Sequence, residues 1–125
     1  MWSKAPDVQK VISSLVARLD ISWVDAKRIH CFRSINSTAR AYARIWGLNN
    51  VWQLALDQEP AYVIEVLSEH FDDLKDREKN KVLLHEIAHI PKNFSGALLP
   101  HVRRRGKRNF HDRVEEMIRQ YDKLK

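Results

Sequence analysis

Residues 82–90 read Val-Leu-Leu-His-Glu-Ile-Ala-His-Ile, a stretch that is apolar except for His85, Glu86 and His89. It completes a pattern from about Asp76 to Ile90 that predicts a helix, which Pro91 cannot continue. Residues at i and i+4 share one face of a helix. The imidazoles of His85 and His89 can therefore bind one metal ion together.

Glu86 leaves the helix in a different direction from the two histidines. It is rotated by about 100° from His85 around the helix axis, which places its carboxylate beside the metal rather than on it. There it can accept a proton from a water molecule at the metal, as in His-Glu-x-x-His hydrolases. The neighbouring positions are apolar, so three ionisable groups would be costly there without a cation. The alternative is two partly exposed histidines, with Glu86 in a surface ion pair.

A catalytic zinc ion needs a third protein ligand and one open position. Three residues downstream are candidates: His101, His111 and Glu115. His101 follows a loop in which Gly96 can turn the chain back, whereas His111 and Glu115 share one face of a predicted helix. An extended chain reaches the site from all three, so distance does not choose between them. The metzincin pattern is excluded because Ser95 stands where its third histidine would be.

The remaining patterns predict a single α+β domain over residues 1–125. Amphipathic helices are expected at Asp7–Leu19 and Asn109–Lys123. Strands are expected at Arg28–Ser34 and, most clearly, at Ala61–Leu67, which is rich in β-branched and aromatic residues. The segments 39–48 and 51–56 fit either a strand or a helix. The expected order is a helix, about three strands, the helix of residues 76–90, a loop and a last helix.

Composition excludes several classes of protein. The chain has 125 residues, of which 44% are hydrophobic, so a packed core is expected rather than disorder. Its single cysteine excludes a disulfide framework and a cysteine-based zinc finger. There is no apolar run long enough for a membrane span and no signal peptide, so a cytoplasmic protein with no membrane partner is expected. Trp23, Trp46 and Trp52 are expected to pack in the core or at its rim.

The positive charge is concentrated in one short stretch. The net charge is +6, and five positive charges lie between residues 101 and 108, on Arg103, Arg104, Arg105, Lys107 and Arg108. Such a run is often a solvated loop. It can also bind nucleic-acid phosphates, or steer acidic peptides towards a neighbouring cleft. The sequence does not separate the last two interpretations.

Several short segments together resemble a group of small predicted metallopeptidases known mainly from archaeal sequences. These segments are Tyr62-Val63-Ile64-Glu65-Val66, Phe71-Asp72, Leu84-His85-Glu86, His89-Ile90-Pro91, Phe94-Ser95-Gly96 and Leu99-Pro100-His101. The order of elements is also similar to the minimal zincin core of SprT-like (Spartan-type) proteases, in which a small sheet packs on the metal-binding helix. In the predicted peptidases a histidine follows a glycine-containing loop. The resemblance therefore implies His101 as the third ligand, with His111 next.

The expected activity is zinc-dependent hydrolysis of a peptide or protein substrate. One zinc ion per chain would be held by His85, His89 and His101, with Glu86 as general base. Glu65 and Asp112 are candidates to orient the imidazoles. The alternative is a nucleic-acid-binding protein with a structural or vestigial metal site, or a protease recruited to DNA by its basic loop.

Overall fold

The computed structural model describes residues 1–101 and 110–124. Its strands are β1 (Trp2–Lys4), β2 (Ile29–Ser34), β3 (Ala43–Gly47) and β4 (Tyr62–Leu67). Its helices are α1 (Pro6–Arg18), α2 (Asn50–Leu56), α3 (Ser68–Phe71), α4 (Asp76–Ile87) and α5 (Phe110–Lys123). A single 3₁₀ turn, Ala26–Arg28, leads into β2. The predicted α+β class is confirmed.

The four strands form one mixed sheet in the order β1-β2-β4-β3. The central strands β2 and β4 are parallel, and both edge strands, β1 and β3, are antiparallel to their neighbours. The sequence predicted about three strands and missed β1, because three exposed residues are too few to show a period. The ambiguous segments resolve as a strand in β3 and as a helix in α2, where the Asn49 side chain accepts a hydrogen bond from the Trp52 amide.

The core lies on one face of this sheet, under α1 and α4. Alternate strand residues such as Cys31, Ile64 and Val66 point into it and meet Ile12 and Leu84 from the helices. Both of these helices contribute a stripe of apolar residues, as the sequence patterns predicted. Packing of the α4 stripe against the sheet fixes the rotation of α4 and thereby sets which α4 residues face outward.

α4 ends at Ile87, three residues before the end that the sequence predicted. Pro91 has no amide hydrogen to give to the Ile87 carbonyl, which accepts one from Ile90 at 2.9 Å instead. The last turn therefore tightens, and the His89 amide donates to the Glu86 carbonyl three residues back. His89 consequently stands just beyond the α-helix, in a turn, rather than within it.

Two tryptophans differ from their expected packing, because Trp46 and Trp52 are 48% and 54% exposed. Trp23 does pack against the core. Among the helices of the described residues, none is both long and apolar enough to cross a bilayer.

Candidate metal centre

Three histidines converge beside the end of α4. One ring nitrogen from each of His85, His89 and His101 lies within 4.8 Å of the other two. The Nε2 atoms of His85 and His101 are 3.0 Å apart. The ring centres of His89 and His101 are separated by 4.4 Å. Two histidines from one helix end and one from a returning loop thus share a single point in space, as three ligands of one metal ion would.

The orientation of the His89 ring is fixed by a backbone carbonyl. Its Nδ1 lies 2.6 Å from the Leu99 oxygen, which can only accept a hydrogen bond, so Nδ1 carries the proton. The Nε2 lone pair is then left free for a metal ion. The Leu99 amide also donates to the His89 carbonyl at 2.7 Å. Outer contacts of this kind hold ligand imidazoles in place at metal sites.

Burial keeps these imidazoles in the form that binds metals. Desolvation, reinforced by His89 and His101, lowers the pKa of His85 to about 4. Desolvation also lowers the pKa of His89, against the opposing effect of its bond to Leu99. Both rings are therefore neutral near pH 7, and neutral imidazole is the ligand that a metal ion requires.

Glu86 is 8% exposed and lines the same cavity as the three histidines. Burial raises its pKa to about 7. Within residues 1–101 and 110–124, no group donates a hydrogen bond to its carboxylate. An acid kept without a partner near neutral pH is suited to exchanging a proton, since a general base works best when its pKa is close to the working pH.

The loop that carries His101 is anchored by Tyr62. The Tyr62 hydroxyl donates to the Ala97 carbonyl at 2.8 Å and accepts from the Gly96 amide at 2.9 Å. Gly96 has a φ of +93°, and a Cβ there would lie 2.1 Å from the Leu48 carbonyl oxygen. Gly47 at the end of β3 is equally crowded, because its Cβ would lie 2.0 Å from the Gly96 oxygen. Glycine at both positions lets the loop pass against the sheet and return to the histidines.

Replacing Tyr62 by phenylalanine is expected to loosen this loop while keeping the buried ring. Two hydrogen bonds of a fully buried hydroxyl are lost, and the Gly96 amide is left without its partner. The free energy of unfolding should fall by about 1–3 kcal/mol, and metal affinity should fall with it. Urea unfolding and a competitive chelator titration measure the two effects. An unchanged metal affinity would contradict the anchoring role.

Two residues of α5, Phe110 and Arg113, contact the site, and no pattern in the sequence indicated these contacts. The Phe110 ring stacks on His89 at 4.2 Å and approaches His101 at 4.7 Å and His85 at 5.1 Å. Arg113 donates to the carbonyls of Ala88 and Ile90 at 3.0 and 2.6 Å. A stripe of apolar residues predicted Phe110 only as core. Bonds to backbone carbonyls, such as those of Arg113, leave no pattern in the sequence.

The other sequence candidates lie elsewhere. His111 and Glu115 pair with each other at 2.9 Å on the exposed side of α5 and are not in the histidine cluster. The Glu65 carboxylate accepts from Arg44 and Trp46 instead of orienting an imidazole. The basic stretch, made of Arg103, Arg104, Arg105, Lys107 and Arg108, lies outside the described residues.

The histidines open onto a cleft of about 910 Å³ between β3 and the helices α4 and α5. Most of its wall is apolar, contributed by Tyr42, Ile45, Val82, Leu98, Val114 and Ile118. The charged residues Glu78 and Lys81 of α4 also line it, and Arg44 borders it at the edge strand β3. A cleft of this size, with a few polar groups converging at one end, is typical of a ligand-binding site.

Comparison with known proteins gives one family. Neither the curated proteins nor the solved structures contain a significant match to the chain. Residues 1–123 match the family described as "Putative phage metallopeptidase", which covers nearly the whole sequence and agrees with a cluster of three histidines that can hold a metal ion. The chain therefore belongs to this metallopeptidase family.

Proposed function

We propose that the protein is a zinc-dependent peptidase that hydrolyses peptide bonds at the histidine cluster. His85, His89 and His101 are the proposed ligands, and Glu86 is the proposed general base. One observation carries the proposal: three ring nitrogens within 4.8 Å of one another share a cleft with a buried carboxylate. Membership of a metallopeptidase family supports the reaction class.

The donor set fits zinc. Three imidazole nitrogens suit Zn²⁺, whereas Ca²⁺ and Mg²⁺ prefer oxygen ligands. Nitrogens bound to one tetrahedral zinc ion lie about 3.3 Å apart, which is close to the 3.0 Å between His85 and His101. Three protein ligands would also leave one coordination position open, as catalysis requires.

The protein's own groups supply binding, orientation and proton transfer. When bound, zinc supplies a Lewis acid that polarises the scissile carbonyl and makes a neighbouring water more acidic. The Glu86 carboxylate accepts a proton from that water and later delivers it to the leaving amine nitrogen. The Leu99 carbonyl keeps His89 Nδ1 protonated and its ring in place. Phe110 covers the imidazoles with an apolar ring that excludes water on that side.

The apolar cleft is the proposed binding place of the substrate, a peptide or protein with bulky apolar side chains near the scissile bond. We also propose that the chain forms a single domain with a minimal zincin core like that of SprT-like proteases. The packing of the sheet against α4 supports this core. The proposed location is the cytoplasm, and the free, buried Cys31 is consistent with a reducing compartment.

Removing the metal should abolish hydrolysis. Purified protein is expected to hold about one zinc ion per chain, measured by mass spectrometry of the metal content. After chelation, cleavage of an unfolded protein substrate should stop, and one equivalent of zinc should restore it. The double variant His85→Ala, His89→Ala should hold no zinc and show no cleavage.

The matched control is a double variant on the exposed side of α5, His111→Ala with Glu115→Ala, which should keep both zinc and activity. Stoichiometric zinc without any cleavage would favour the alternative function, a nucleic-acid-binding protein with a structural metal. Cleavage that survives complete removal of metal would contradict the proposal.

A further inference from the structure

The face of the sheet opposite the core carries a cluster of aromatic and basic side chains. Strand register places its residues in three rows: Trp2 with Ser34 and Leu67, Lys4 with Phe32, Glu65 and Arg44, and His30 with Val63 and Trp46. We call the three rings Trp2, Phe32 and Trp46, with the flanking Lys4, His30 and Arg44, the aromatic face. It lies on the side of the sheet away from α1 and α4, and these residues are not in the core.

Trp2 contacts both of the other rings, and the two tryptophans remain accessible. Trp2 lies 5.8 Å from Phe32 and 6.3 Å from Trp46 between ring centres. Trp2 and Trp46 are 46% and 48% exposed, although large aromatic side chains normally bury most of their surface. An exposed group of aromatic rings on an uncovered sheet face marks an interaction site more often than a fold requirement.

The charge of the aromatic face is positive. Glu65 is its one carboxylate, and it is fully buried under the rings, where Arg44 donates to it at 3.0 and 3.1 Å and Trp46 Nε1 donates at 3.2 Å. Lys4 is exposed and forms no ion pair with any residue in the described part of the chain. A cavity of about 330 Å³ borders Lys4, His30 and Phe32 and is closed on its other side by Pro6 and Gln9 of α1.

We propose that the aromatic face binds single-stranded DNA. Bases stack on exposed aromatic rings whatever their identity, and nearby lysine or arginine side chains neutralise the phosphates. Rings and cations side by side on an open sheet face provide both contacts. The cavity beside Lys4 is large enough for a phosphate group or the edge of a base.

A second copy of the chain fits this face less well than an anionic partner does. In a two-fold symmetric interface the same patch meets itself, so Lys4, whose charge remains once Glu65 offsets Arg44, would face the positive patch of the other copy. No unpaired carboxylate within the described part of the face would offset that repulsion. A polyanion carrying flat rings complements both the charge and the aromatic surface.

Binding can be measured with the full chain and fluorescein-labelled oligothymidylate by fluorescence anisotropy, with a duplex of equal length as competitor. We expect the single strand to bind more tightly than the duplex. Trp2→Ala should weaken binding by about fivefold to hundredfold, the loss of one stacked base. Lys4→Ala should reduce the slope of log affinity against log salt by about 0.7, the contribution of one phosphate contact.

Two control variants separate the aromatic face from other surfaces. Trp52→Ala removes an equally exposed tryptophan outside the face and should leave affinity unchanged. Trp46→Phe removes the bond to Glu65 but keeps a ring, so it should retain most of the affinity if stacking is what matters. Chelation of metal should not alter binding, which keeps this test independent of the peptidase proposal.

Three results would overturn the proposal. The first is the absence of single-strand binding. The second is binding that Trp2→Ala and Lys4→Ala both leave unchanged, which would assign it to another part of the chain. The third is a stable dimer, seen by light scattering, that Trp2→Ala dissociates, because the face would then be covered by a second copy.

Discussion

Replacing Glu86 by glutamine is expected to remove peptide hydrolysis while leaving zinc bound. Glutamine has nearly the same shape, so the packing at the end of α4 is kept, but its amide cannot accept a proton from water. General-base catalysis contributes about 10²–10⁴-fold to rate, and kcat should fall by at least that factor. The measurement is cleavage of an unfolded protein substrate at saturating concentration, together with zinc content per chain.

The stability of the variant distinguishes a chemical effect from misfolding. Burial raises the pKa of Glu86, so its ionised form opposes folding in the metal-free protein. A neutral glutamine should therefore leave the free energy of unfolding of that protein unchanged or higher. Glu78→Gln, on the same helix and also lining the cleft, is the matched control and should keep most of the activity. Full activity in Glu86→Gln would refute the assignment of the general base.

The pair of metal-binding histidines and the clearest helices and strands could be predicted from the sequence because they depend on short spacings. His85 and His89 are four residues apart, and β4 and α1 have clear apolar patterns, so local rules were sufficient. The predicted end of α4 was three residues too late. Pro91 was recognised as a residue that a helix cannot include, but its missing amide hydrogen already ends the regular hydrogen-bond pattern one turn earlier.

Other features depend on contacts between distant residues and could not be derived from spacing. The sheet order and the short edge strand β1 follow from pairing across the chain. The passage of Gly96 against Gly47 joins residues that are far apart in sequence, and composition shows only that both are glycines. The same holds for the aromatic face. Trp2 and Trp46 come from the two edge strands, β1 and β3, and the contact of their rings across the sheet leaves no pattern in the sequence.

Replacing His101 by alanine is expected to lower zinc affinity far more than any change in its surroundings. Loss of an outer hydrogen-bond partner to a ligand already costs about 10–100-fold in metal affinity, and loss of a ligand itself should exceed 100-fold. The sequence left three candidates for this position, and only the resemblance to known peptidases favoured His101. In the structure its Nε2 lies 3.0 Å from that of His85. A competitive titration with a chromogenic chelator measures the affinity.

His111→Ala is the informative partner of this variant, because the two histidines were rival candidates for one role. The His111 ring is paired with Glu115 at 2.9 Å and half exposed, so its removal should leave zinc affinity unchanged and cost little stability. If His111→Ala lost zinc and His101→Ala kept it, α5 would supply the third ligand. The loop anchored by Tyr62 would then have another purpose. For each variant, the expected zinc affinity is opposite depending on whether His101 or His111 is the third ligand. Measuring the zinc affinity of both variants therefore decides between the two residues without any assay of peptide cleavage.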